Sequence, residues 1–143
     1  MLIPTTILTA AAAAAGGELD YVAFTADVTI SATTEGTANT VVTGSSVVYD
    51  GSTAVTAEFF TPQLTTNGGG SGIAVVMLLD TTVLGISFCQ STELPVVVMV
   101  RTTPSAGSHA FVVKAYRTSV NGIIHAGTGG SATNLPGFIR VTR

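Results

Sequence analysis

The sequence predicts an all-β fold, an antiparallel β-sandwich or jelly roll of about nine or ten strands behind an extended N-terminal arm. Three observations predict it. Threonine and valine dominate from Asp20 onward, and these β-branched residues fit a pleated surface. Turn signals recur at short spacing, at Asp50-Gly51, at Thr103 to Gly107 and at Asn121-Gly122. The segments between them either alternate in polarity or are short apolar runs, the two signatures of half-buried and fully buried strands.

The elements follow in order. Residues 1–19 read as an arm: Pro4 bars a helix upstream, the six alanines Ala10 to Ala15 are too few to hold a helix in water, and Gly16-Gly17 ends the segment. Its apolar stretch Ile7 to Ala15 lacks the preceding Lys or Arg that a secretory leader carries. Residues 20–143 form the sandwich domain. Strands are expected at Tyr21 to Thr25, Val28 to Ala32, Thr40 to Tyr49 and Thr53 to Thr61, the last two joined as a hairpin through Asp50-Gly51. Within Thr53 to Thr61, Val55, Ala57 and Phe59 face one side and Thr56, Glu58 and Phe60 the other.

A glycine-rich loop, Thr66 to Gly72, precedes three apolar runs: Ile73 to Leu79, Val83 to Phe88 and Pro95 to Val100. Strands apolar on both faces are covered on both faces, so a second covering from a partner subunit is expected. His109 to Arg117 alternates again. Asn121-Gly122 then reads as a second hairpin turn, returning through Ile123 to Ala126, and Phe138 to Val141 closes the fold.

Composition narrows the function. Charged residues make up 9% and hydrophobic ones 46%, against a usual charged share of roughly 25%. So little charge points to a surface covered by copies of the chain or by a larger particle. The net charge of -3 offers no general attraction to nucleic acid, and no apolar run reaches the ~20 residues a membrane span needs. All eight acids precede residue 94 and all five bases follow residue 100, an asymmetry that would draw early strands to late ones within or between subunits. The terminal Arg140 and Arg143 have no acid after Glu93, which makes them, with Val97 and Met99 of the third apolar run, candidate intersubunit contacts.

Catalytic and cofactor signatures are missing from the linear sequence. GTGGS, Gly127 to Ser131, has neither the lysine nor the following helix of a phosphate cradle. Ser108 and His109 are adjacent on a strand and point to opposite faces. The two histidines, His109 and His125, are expected to face each other near the Asn121 turn, without a nearby acid to complete a metal site. The lone Cys89 reads as a small buried hydrophobe. No triad or carboxylate pair is apparent, and the expectation is a protein that is not an enzyme, with no cofactor and no metal.

Two resemblances add to this reading. GSHAFVVKAY and GTGGSATNLPGFIRVT resemble the last strands of trimeric jelly rolls, the complement-type globular heads and the tumour-necrosis-factor-like fold. That likeness implies a homotrimer in which the early strand Tyr21 to Thr25 pairs beside the final strand. TTILTAAAA, VVYDGSTAVTAEFFTP, RTTPSAGSHAF and LPGFIRVT are similar to small structural proteins of tailed bacteriophages. This second likeness implies a virion component, expected as a capsid decoration protein bound to the major capsid protein. Pro4, Ile7 and Leu8 are the expected anchors in the arm. The alternative is a tail-tip or fibre protein, with the Thr66 to Gly72 loop as the recognition element.

Overall fold

In a computed structural model, the chain is described at residues 17–67, 72–90, 93–119, 121–127 and 135–143. The arm with Pro4, Ile7 and Leu8 lies outside these residues, as do the centre of the Thr66 to Gly72 loop and most of the GTGGS segment. The described strands are β1 (Glu18–Phe24), β2 (Val28–Ile30), β3 (Asn39–Thr43), β4 (Val47–Asp50), β5 (Val55–Thr66) and β6 (Ile73–Leu79), then β7 (Thr82–Cys89), β8 (Leu94–Thr102), β9 (Ala106–His109), β10 (Phe111–Arg117), β11 (Gly122–His125) and β12 (Gly137–Thr142).

β5 organises the first sheet. Its 12 residues pair along one edge with β8, while the other edge pairs first with β12 at Thr56 to Phe60 and then with β11 at Gln63 to Thr66. β11 and β12 thus act as one interrupted strand, and β1 and β2 flank them in the same way. The second sheet runs β3-β10-β6-β7, all antiparallel. With the interrupted strands joined, each sheet is four strands wide, and the chain crosses repeatedly between them. That is a jelly roll, and β1 pairs with β12 as the resemblance implied. β4 and β9 form a separate ribbon.

Alternation places the core. Val55, Ala57 and Phe59 of β5, Ile139 and Val141 of β12, and Phe111, Val113 and Ala115 of β10 are buried between the sheets. Phe24 stacks on Phe59 with ring centroids 6.1 Å apart. That stack needs glycine at 137: a Cβ there would lie 2.3 Å from the Phe24 ring. Gly127 opens the glycine segment at φ 77°, a left-handed angle that glycine adopts without steric cost.

Two expected hairpins are corrected. Asp50-Gly51 does not join two paired strands, because β4 pairs with β9 and β5 with β8, β11 and β12. The Asp50 carboxylate instead accepts from the backbone N–H groups of Ser52 and Thr53 at 2.8 and 2.7 Å, closing a local turn that sends the chain to the other partner. The expected strand Thr40 to Tyr49 is likewise broken at Gly44 to Ser46, with β3 entering a sheet and β4 the ribbon. Asn121-Gly122 carries the chain from β10 in one sheet to β11 in the other, a crossing between layers.

Candidate functional site

The outward face of the first sheet gathers residues from four strands. In one row the register sets Ala23 beside Phe138, Phe138 beside Phe60, and Phe60 beside Val97. In the next it sets Tyr21 beside Arg140, Arg140 beside Glu58, and Glu58 beside Met99. Tyr21, Val97 and Met99 are 44%, 54% and 61% exposed. The rings associate across strands, Tyr21 with Phe138 at 5.2 Å and Phe60 with Phe138 at 5.5 Å between centroids. Cross-strand pairing on one pleated face is what brings residues so distant in sequence into a continuous aromatic strip.

Arg140 sits at the centre of this face. Its Nη2 donates to Glu58 Oε2 at 2.5 Å, and its guanidinium carbon lies 5.8 Å from the centroid of the Phe138 ring. The early-acid, late-base asymmetry is therefore realised here within one subunit. The pair is partly solvated, with side chains 42% and 21% exposed, and contributes little to subunit stability in that state. Burial by a partner would make it a desolvated, geometrically demanding contact.

Three of the four expected contact residues, Arg140, Val97 and Met99, thus share one face. Arg143 does not join them. Two positions after the inward-facing Val141, its N–H donates to Gly17 O at 3.1 Å, and its charge acts on the buried Tyr49 phenol. The contributions of Tyr21, Phe60 and Phe138 were not anticipated. Their parity on each strand was legible, but the register that aligns them was not.

The two histidines are also placed differently from expectation. They do not face each other. His125, at the end of β11, donates from Nδ1 to Asp27 Oδ2 at 2.9 Å and contacts Thr65 Oγ1 through Nε2 at 3.1 Å. His109, at the end of β9, makes the same three-part chain: Nδ1 to Asp80 Oδ2 at 2.7 Å and Nε2 to Ser105 Oγ at 3.0 Å. Each histidine finds an acid from the early part of the chain, brought close by the fold. Ser108 is not the partner of His109, as strand geometry predicted; its hydroxyl meets Ser46 Oγ at 2.7 Å. The Asp80–His109–Ser105 chain corrects the expectation that no serine, histidine and acid assemble.

The ionisation state of this chain has a local cause. The Ala110 N–H first, and His109 second, hold the Asp80 carboxyl below its ordinary value. A carboxylate can only accept, so Nδ1 of His109 is the donor and Nε2 is left facing the serine hydroxyl. Burial pushes the Cys89 thiol up, which keeps it protonated and a poor nucleophile. No group of three or more metal-ligating side chains occurs among the described residues.

No protein-family model matches the chain, and no curated protein matches it. Among solved structures, it is similar to the C-terminal domain of EclA, a sugar-binding protein, with TM-score 0.45 and 10% identity over 85% of this chain and 77% of that one. It is also similar to a family two carbohydrate esterase from Cellvibrio japonicus, with TM-score 0.30 and 12% identity over 90% of this chain and 33% of that one. At these scores neither likeness bears on function.

Proposed function

We propose that the chain is a structural component of a phage particle, a homotrimer that decorates the capsid by bridging major capsid subunits. The observation that carries the self-association is the outward face of the first sheet, where Tyr21, Phe60, Phe138, Val97 and Met99 form an apolar strip around Arg140 and Glu58. The strip reaches a strand that is weakly defended as an edge. β8 carries Pro95 at its start and Arg101 near its end, with an uncharged run between them. Soluble monomers usually protect such strands with charge, bulges or a covering element.

A second copy fits this face better than an unrelated partner does. The strip contains both members of its ion pair and both faces of its aromatic stack, so copies can meet without leaving a net charge buried. The virion assignment comes from the likeness in sequence texture to small phage structural proteins. In that role each trimer adds binding free energy to the assembled shell alone, which stabilises the shell by mass action.

Two measurements test this reading. Light scattering of the purified chain should give three times the monomer mass, and cryo-electron microscopy of intact particles should place trimers at repeated positions on the capsid. A monomer at micromolar concentration would overturn the trimer. Density at the tail alone would overturn the decoration role and favour host attachment.

A further inference from the structure

We infer that Ser105 is an activated nucleophile for acyl transfer, with His109 as its general base and Asp80 as the residue that orients the base. Nucleophilic catalysis by serine needs a hydroxyl within hydrogen-bond reach of a base, and a third group that fixes the base's tautomer and direction. Both conditions are met. Ser105 Oγ lies 3.0 Å from His109 Nε2, and His109 Nδ1 lies 2.7 Å from Asp80 Oδ2.

The acid is itself held. Asp80 Oδ1 accepts from the Ala110 N–H at 3.0 Å, and the Asp80 N–H donates to Ala110 O at 2.8 Å. Asp80 adopts a left-handed backbone with φ 53°, an angle that costs a non-glycine residue free energy and turns the carboxylate back toward β9 and β10. The Tyr49 ring flanks the imidazole, with centroids 6.3 Å apart. Three separate segments are therefore built around one imidazole: the β6–β7 turn, the β8–β9 turn and the end of β9.

The second chain in the molecule, Asp27–His125–Thr65, shows what distinguishes a site from a brace. His125 is 7% exposed, and Thr65 lies within β5, paired to Ile123. That base is nearly closed to solvent, whereas the His109 side chain is 20% exposed. Ser105 is exposed in the turn before β9, open to an ester arriving from solvent or carried on a surface. The substrate class is accordingly a carboxylic ester that can reach an exposed hydroxyl.

In the reaction, Ser105 Oγ bonds to the acyl carbon as its proton passes to His109 Nε2. The bond from that carbon to the leaving oxygen breaks, and the departing alcohol takes the proton from His109. Water then attacks the acyl-serine by the same route, giving the free acid and restoring the serine hydroxyl.

The test uses the full chain and a biotinylated fluorophosphonate, with the adduct located by peptide mass spectrometry. One adduct at Ser105 is expected, with none in Ser105→Ala. That substitution removes an exposed hydroxyl and should leave the melting temperature unchanged. His109→Gln should slow labelling by roughly 100-fold or more, the usual contribution of a general base. Asp80→Asn should slow it as well, by favouring the wrong tautomer. A folded protein that takes no label at Ser105 would overturn the inference. So would labelling at an undiminished rate in His109→Gln.

Discussion

β6 and β8 look alike in sequence and behave differently in the fold. Both are runs of valine, methionine and leucine without an internal acid. In β6, residues from Ile73 to Leu78 are buried on both faces. In β8, Val96 and Val98 face the core while Val97 and Met99 are more than half exposed. The difference is position. The segment between β2 and β3 lies over β6, where Val76 and Leu78 line a small cavity with Glu35, Ala38 and Lys114. β8 pairs only with β5 among the described strands, and none of the described residues covers its outer row. The expected second covering is thus supplied by the subunit itself at β6. At β8 the outer row stays exposed in the single subunit.

The largest effect should come from breaking the β6 side. Val75→Asp places an unpaired carboxylate at a fully buried, core-facing position, a change that costs several kcal/mol. The soluble yield should collapse, and far-ultraviolet circular dichroism of any recovered protein should lose its β signal. Phe59→Ala, in the core between the sheets, should cost about 3–5 kcal/mol, seen as a lowered denaturant midpoint.

The β8 side should break differently. Val97→Glu with Met99→Glu puts two acids beside Phe60 and Glu58. On the proposed trimer, the subunit should stay folded while sedimentation shifts from trimer to monomer. A variant that remains trimeric would move the interface elsewhere. Glu58→Gln sharpens the point, since the Arg140 charge then stays without its carboxylate. In an isolated subunit the change should be under about 1 kcal/mol. Across a buried interface it should raise the trimer dissociation constant by at least tenfold.

The smallest effect concerns Tyr49, buried at the core's margin with no hydrogen-bond partner for its hydroxyl among the described residues. Burial first, then the nearby Asp20 and Asp80 carboxylates, push its phenol up to about 12, against the opposing charge of Arg143. The folded state therefore favours the neutral phenol more than the unfolded chain does. That contribution is fully present below pH ~10, the unfolded value, and is lost as pH rises toward 12. Tyr49→Phe should flatten the fall in melting temperature over that window and leave stability near pH 7 almost unchanged.

The all-β class, most of the strands and the inward parity of Val55, Ala57 and Phe59 were legible in the sequence, because alternation and β-branched content are local properties. Partner choice was not. Asp50-Gly51 carries a strong hairpin signal, yet its strands pair elsewhere, since a turn dictates direction and the sheets dictate neighbours. The candidate sites show the same limit. Val97, Met99 and Arg140 stood out as unpaired apolar or basic residues, whereas Tyr21, Phe60 and Phe138 became a strip only through the register of four strands.

What the sequence determined by itself is a β-sandwich with too little charge to cover its own surface. Tertiary structure alone decided that Asp80 would meet His109 and Ser105, that Asp27 would meet His125, and that Arg140 would find Glu58. The reason is physical. Backbone preference and hydrophobic periodicity act over a few residues, while ion pairs and hydroxyl relays require contacts between strands as far apart as Glu58 and Arg140, 82 positions along the chain. Such contacts exist only once the jelly roll has set the order and register of its strands.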